Sequence, residues 1–137
     1  MTYTFFDHTG DIGVDLKADS CEELFADAAR ALAEAMADTR GVVNRVDREI
    51  KADGEDRAEV LNRFLSALLV IFDEERLLLP SVRIERLTER FVHATASGEK
   101  YDPRRHEGRT ELKAVTWHEL RVEKSSIGWE GRVVFDV

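Results

Sequence analysis

Apolar residues follow two spacings along this chain, and the changes between them mark the predicted elements. Tyr3 to Phe6 is β-prone and runs into Asp7-His8-Thr9-Gly10-Asp11-Ile12-Gly13, where two glycines among polar residues predict a turn or bulge. Val14, Leu16 and Ala18 then alternate with Asp15 and Lys17, the pattern of a strand with one buried face. Ser20 followed by Glu23 is a capping-box signature. Leu24, Ala28, Leu32 and Met36 repeat at i+4 behind it, predicting a helix that ends near Asp38. Val42 to Ala52 reads as a strand broken by Gly54. Asp56 with Glu59 opens a second helix whose wide stripe, Val60 to Phe72, predicts deep packing up to Glu74.

The remainder reads as strands. Leu77 to Ile84 and Phe91 to Ser97 form one predicted hairpin, and Gly98 to Arg109 a polar loop. Leu112 to Val122 and Trp129 to Val137 form a second hairpin around Ser125-Ser126-Ile127-Gly128. Two helices among five or more strands with short connections predict a single α+β domain over residues 1–137. Its sheet is mostly antiparallel, with two main helices packed on one face.

Composition narrows the function classes. At 137 residues and 43% hydrophobic content, the chain can bury a proper core without staples. Acidic residues exceed basic ones by 28 to 20, a net charge of −8, which argues against bulk binding to nucleic-acid phosphates. A single cysteine, Cys21, can form no internal disulfide, which agrees with a reducing compartment. Met1 to Phe6 carries no basic segment leading into a long apolar run, and no stretch approaches the roughly 20 apolar residues of a membrane span. A cytoplasmic protein with protein or metal-ion partners is the expectation.

Four groups could carry chemistry. Asp7, His8 and Asp11 sit in a glycine-flanked turn, and such a loop can offer oxygens to a hard divalent cation; Asp in such turns more often bonds its own backbone. Asp136 beside the C-terminal carboxylate of Val137 pairs two anions that a cation would relieve, although many domains simply end this way. Asp73-Glu74-Glu75 opposes the dipole of the second helix, which a solvated face tolerates. The loop from Gly98 to His106, with Lys100, Arg104 and Arg105, is the densest basic cluster; a solvated loop and a contact for RNA, phosphate or an acidic surface are equally open. Lys113 could extend that surface. Walker, dinucleotide, GxSxG, HExxH and paired CxxC signatures are missing, so an enzyme is not the leading class. Cys21 lies beside a helix start, a position that can lower a thiol pKa, but nothing nominates a base.

Asp7-His8-Thr9-Gly10-Asp11-Ile12-Gly13-Val14 resembles the opening motif of the archease family, DHTADIGV. Glu22-Glu23-Leu24-Phe25, Leu69-Val70-Ile71-Phe72-Asp73, Gly98-Glu99-Lys100-Tyr101-Asp102-Pro103, Lys113-Ala114-Val115-Thr116-Trp117-His118 and Arg132-Val133-Val134-Phe135-Asp136-Val137 follow in family order. The resemblance implies a non-catalytic cofactor protein that promotes guanylylation and multiple turnover of an RtcB-type RNA ligase in tRNA splicing and RNA repair. It implies a divalent-metal site, calcium by association, at Asp11, Asp136 and Val137, and a ligase-activating role for Lys113. Asp7, His8, Lys100 and His118 are further candidate partner contacts, with any RNA contact indirect or through the 98–109 loop. The turn and the C-terminus are then expected to meet in space. Gly10, Trp117 and Val137 stand where the family has Ala, Tyr and Ile. A metal-dependent phosphoester hydrolase and a chaperone-like protein-binding module are the alternatives.

Overall fold

The structure is a computed structural model that describes residues 2–137; Met1, part of the opening segment read above, lies outside them. The elements in order are β1 (Thr2–His8), β2 (Asp11–Ala18), α1 (Cys21–Met36), β3 (Val46–Asp53), α2 (Arg57–Glu75), β4 (Leu77–Leu87), β5 (Phe91–Lys100), β6 (Ala114–Val115), β7 (Arg121–Ser125) and β8 (Gly128–Asp136). All strand pairs are antiparallel. The α+β class holds, but the strands divide into two sheets. One runs β1-β2-β8 and continues onto β6 and β7, which share the far edge of β8; the other is β3-β5-β4. Each helix touches both sheets, so the helix pair forms the seam between them.

Both helices start where the caps predict. The Ser20 hydroxyl accepts from the Glu23 amide at 3.1 Å, and the Asp56 carboxylate from the Glu59 amide at 2.9 Å. Glu59 reaches back to accept from the Glu55 amide. Arg76, not a glycine, closes α2 in the left-handed region with φ 58°. Phe25 and Phe64 meet where the helices cross, ring centres 5.7 Å apart, and both are fully buried with Phe135 from β8. Burying each such ring stabilises the fold by about 1.5–3 kcal/mol.

Three expectations shift. First, the glycine-rich motif holds no bulge: the turn is only Thr9-Gly10, both with positive φ as a two-residue type I′ hairpin needs. Gly13 lies inside β2, where a Cβ would collide with the Phe6 ring. Second, β5 continues to Lys100, because the bulge in β4 between Leu78 and Ser81 lets the Leu78 carbonyl press on Gly98, leaving no room for a side chain. Third, Leu112 to Val122 is not one strand. Thr116 is tied back to Val134, the Leu120 amide donates to the Trp117 carbonyl, and Glu119 takes φ 52°, so residues 117–120 swing away from β8. Only Ala114–Val115 and Arg121–Ser125 pair with β8.

Candidate functional site

Register brings the two carboxylates of the sequence reading together. β2 pairs with β8 through Ile12↔Phe135, so Asp11 and Asp136 are the next positions along the ladder. On the other side of β8, Ala114 pairs with Asp136, and the Lys113 amide donates to the Asp136 carbonyl at 2.8 Å. Asp11, Asp136, Val137 and Lys113 therefore share one end of the sheet. Alternation along the strands fixes the faces. Val14, Leu16, Val133 and Phe135 are buried toward the helices, which turns Asp11, Asp15, Arg132 and Asp136 to the opposite face. His8 pairs with Asp11 across the hairpin and shares that outer face.

The swing at residues 117–120 lays further groups over this face. Arg132 donates to Asp15 at 2.7 and 3.0 Å and to Glu119 at 2.9 Å, and Glu119 pairs with His8 Nε2 at 2.6 Å. The Arg132 guanidinium also stacks 4.5 Å over the Phe6 ring, whose underside rests on Gly13. Hydrogen bonds from Arg132, then His8, hold the Glu119 carboxyl below its usual range; those to Asp15 and Glu119 raise Arg132 in turn. The His118 ring lies 6.0 Å from that of His8, and Trp117 beside it is 58% exposed. Asp15, Glu119 and Arg132 were missed in the sequence. Their only local signal is placement on the polar side of an alternating strand or in a polar run, and Asp15 and Arg132 are 117 residues apart.

Among the described residues, no three His, Cys, Asp or Glu side chains converge to hold a metal by themselves. The donors at this end are two side-chain carboxylates and the oxygens of Val137. That hard-oxygen set fits calcium or magnesium completed by water, and not zinc, which favours nitrogen and sulfur.

The 98–109 segment is built differently from the loop expected. Glu99, 3% exposed, accepts from Arg105 at 2.8 Å, Arg45 at 3.2 Å and the Val43 amide at 3.0 Å, and contacts His106 Nε2 at 2.9 Å. His106 is fully buried; its Nδ1 accepts from the Asp102 amide at 3.0 Å, so its proton sits on Nε2, facing Glu99. The Arg105 bond chiefly holds the Glu99 carboxyl far below its usual range against the cost of burial. Beyond it, the Arg109 and Thr110 amides donate to the Met36 and Ala35 carbonyls, capping the C-terminus of α1. Lys100 and Arg104 remain exposed, while Arg105 and His106 are turned to architecture. Asp73, Glu74 and Glu75 are exposed at the end of α2, where Glu75 pairs with Arg48 at 2.6 Å. Cys21 also departs from expectation: burial outweighs the helix start and pushes its thiol up to about 11.

The model of the Archease protein family (MTH1598/TM1083) matches residues 3–137. An archease of Sulfolobus acidocaldarius is 37% identical over 136 residues, covering 98% of both chains, and one of Pyrococcus abyssi is 38% identical with 96% of both covered. Among solved structures, the solution structure of Methanobacterium thermoautotrophicum protein 1598 superposes with a TM-score of 0.79 at 33% identity, over 98% of both chains. The crystal structure of a Thermotoga maritima archease, described as a possible chaperone, has the same fold, with a TM-score of 0.69 at 24% identity over 96% of this chain and 94% of that one. With the family pattern running the length of the chain and the fold shared, this protein belongs to the archease family.

Proposed function

We propose that this protein is a metal-binding accessory factor that activates an RtcB-type RNA ligase in tRNA splicing and RNA repair, without catalysing a reaction itself. The observation that carries this reading is the strand register, which gathers Asp11 of β2, Asp136 of β8, Val137 just after it and Lys113 from the segment before β6 at one sheet end. A lone Asp in a turn needs no ligand to explain it. Two carboxylates aligned on neighbouring strands with no cation between them repel, and a hard divalent ion relieves that repulsion.

When bound, the ion supplies a fixed positive charge with exchangeable water positions. The chain's own residues do the rest. Asp11 and Asp136 orient it at the rim of the sheet, and Lys113 offers a mobile cation beside it. Trp117 and His118 form the exposed wall that a partner would meet. The Arg132–Glu119–His8 relay ties that wall to the strand carrying Asp11's neighbour, so wall and rim keep one spacing. Such an end could enter a ligase cleft and bias it toward the guanylylation-ready state.

The test is guanylylation of a matching RNA ligase with GTP, with and without this protein, across a calcium and magnesium titration. Stimulation that vanishes in Asp11→Ala and Asp136→Ala, both folded by circular dichroism, is the expected result. Full stimulation by Asp136→Ala sinks the metal-site reading.

A further inference from the structure

The two sheets expose several strand edges, and all but one are protected against pairing. β3 carries Asp47, Arg48, Glu49, Lys51 and Asp53 among its eight residues. β4 has Pro80, two register shifts and the charges of Arg83, Glu85 and Arg86. On the far side of the larger sheet, β6 is two residues long and β7 holds Arg121, Glu123 and Lys124 in five. Charges, proline, bulges and shortness are the ordinary means of keeping an edge from adding another strand. β1 has only the single charge of Asp7. It runs Thr2-Tyr3-Thr4-Phe5-Phe6-Asp7-His8 in unbroken register with β2, with no lysine, arginine, proline or bulge.

Its free side is set by the hairpin. In a two-residue turn the flanking residues, His8 and Asp11, exchange both main-chain bonds, and bonded pairs then alternate along the ladder. The amides and carbonyls of Tyr3, Phe5 and Asp7 therefore point away from β2. Among the described residues, no hydrogen bond outside the β1–β2 ladder reaches the main chain of these three. Phe5, 40% exposed, stands at the centre of this edge.

We propose that β1 is a strand-addition surface that takes an extended, basic segment of a partner protein. The charge of the ground beneath the edge selects that occupant. On α1, Asp27 and Glu34 lie close enough to act on the Tyr3 hydroxyl, and Glu23, one turn before Asp27, acts on Asp27 in turn. A cavity of about 350 Å³, lined by Phe5, Asp7, Ile12, Glu34, Arg109 and Thr110, opens beside it. Among the described residues, none of Glu23, Asp27, Glu34 and Asp7 is in a salt bridge. Arg30 and Arg109 are the side-chain cations on the same ground, and the positive charge of the α-amino group also acts on Asp27, so four carboxylates still outnumber three cations. A strand added to β1 would present every second side chain to this surface. Lysine or arginine there meets carboxylates in excess over cations, and its aliphatic stem covers Phe5. A second copy of the chain would bring a second set of the same carboxylates to this ground and join two molecules of net charge −8, so it is the disfavoured occupant. The inference does not depend on the ligase reading and concerns a different surface from the Asp11–Asp136 rim.

The experiment titrates isotope-labelled full-length protein with an end-blocked seven-residue peptide alternating lysine and valine. Amide shifts should concentrate on Tyr3, Phe5 and Asp7, and hydrogen exchange at these three should slow at saturation. Binding should weaken at least ten-fold when the internal amides of the peptide are N-methylated, and similarly when glutamate replaces its lysines. The peptide changes keep the test independent of whether any variant folds; Asp27→Asn with Glu34→Gln should weaken the lysine peptide from the protein side. An absence of shifts at millimolar peptide, or equal binding by the N-methylated form, overturns the proposal. Concentration-dependent protection of the same amides without peptide, with a dimer in sedimentation, also overturns it by making a second copy the occupant.

Discussion

Two acid–base networks anchor different sheets of this molecule, and they differ in what surrounds the carboxylate. Glu99 is sealed between β5, the 41–45 turn and the 101–106 loop, with His106 fully buried against it. Glu119 makes equally short contacts with Arg132 and His8, yet it is half exposed on the outer face of the larger sheet. Bond lengths do not separate them; water does. A sealed carboxylate that loses a partner leaves a charge that nothing can solvate, so the Glu99 cluster is committed to architecture. An open carboxylate can exchange partners at little cost, so the Glu119 relay can re-form around other charges.

The sharpest way to break this contrast is Asp136→Ala, which should abolish stimulation of a partner ligase while leaving the thermal midpoint unchanged. Glutamine at Glu119 should come next, lowering stimulation several-fold in the same assay with little change in midpoint, because Trp117 and His118 lose their tie to β1. Glu99→Ala should do the reverse. It should cost about 3 kcal/mol of stability, seen in chemical denaturation, with full stimulation per folded molecule. Acid titration sharpens the point further. The Glu99 carboxyl is depressed in the folded state, so its stabilisation is intact above the unfolded value of about 4.3 and is lost as pH falls from there toward the folded value. The midpoint of the native protein should therefore drop more steeply below about pH 4 than that of Glu99→Gln. The smallest effect concerns Cys21, whose thiol at about 11 should alkylate far more slowly at pH 8 than a free thiol, until denaturant is added.

What the sequence could disclose depended on range. The two helices were legible because their caps and i+4 stripes are local: Ser20 with Glu23 and Asp56 with Glu59 act over three residues. The meeting of Asp11 and Asp136 followed from family resemblance, and the β2–β8 register then gave it a geometry. The excursion at 117–120 was not legible, because the partners that hold Glu119 are His8 and Arg132, on strands remote in sequence. Nor was the Glu99 cluster, since an alternating polar residue at the end of a strand reads as solvated until the 101–106 loop folds over it. The division into two sheets escaped for the same reason: nothing near β3 or β5 says which other strands will refuse to pair with them.

The pairing of β2 with β8 carries a kinetic consequence. Asp15 and Arg132 are joined across 117 residues, and the contacts that define the rim are among the longest-range in the fold. Closing so long a loop costs chain entropy before any contact repays it, which places this step late in folding. During synthesis the hairpin of β1 and β2 would wait with both edges open until β8 emerges. A nascent chain halted before β8 should bind a holdase chaperone through this hairpin, and release should coincide with assembly of the rim.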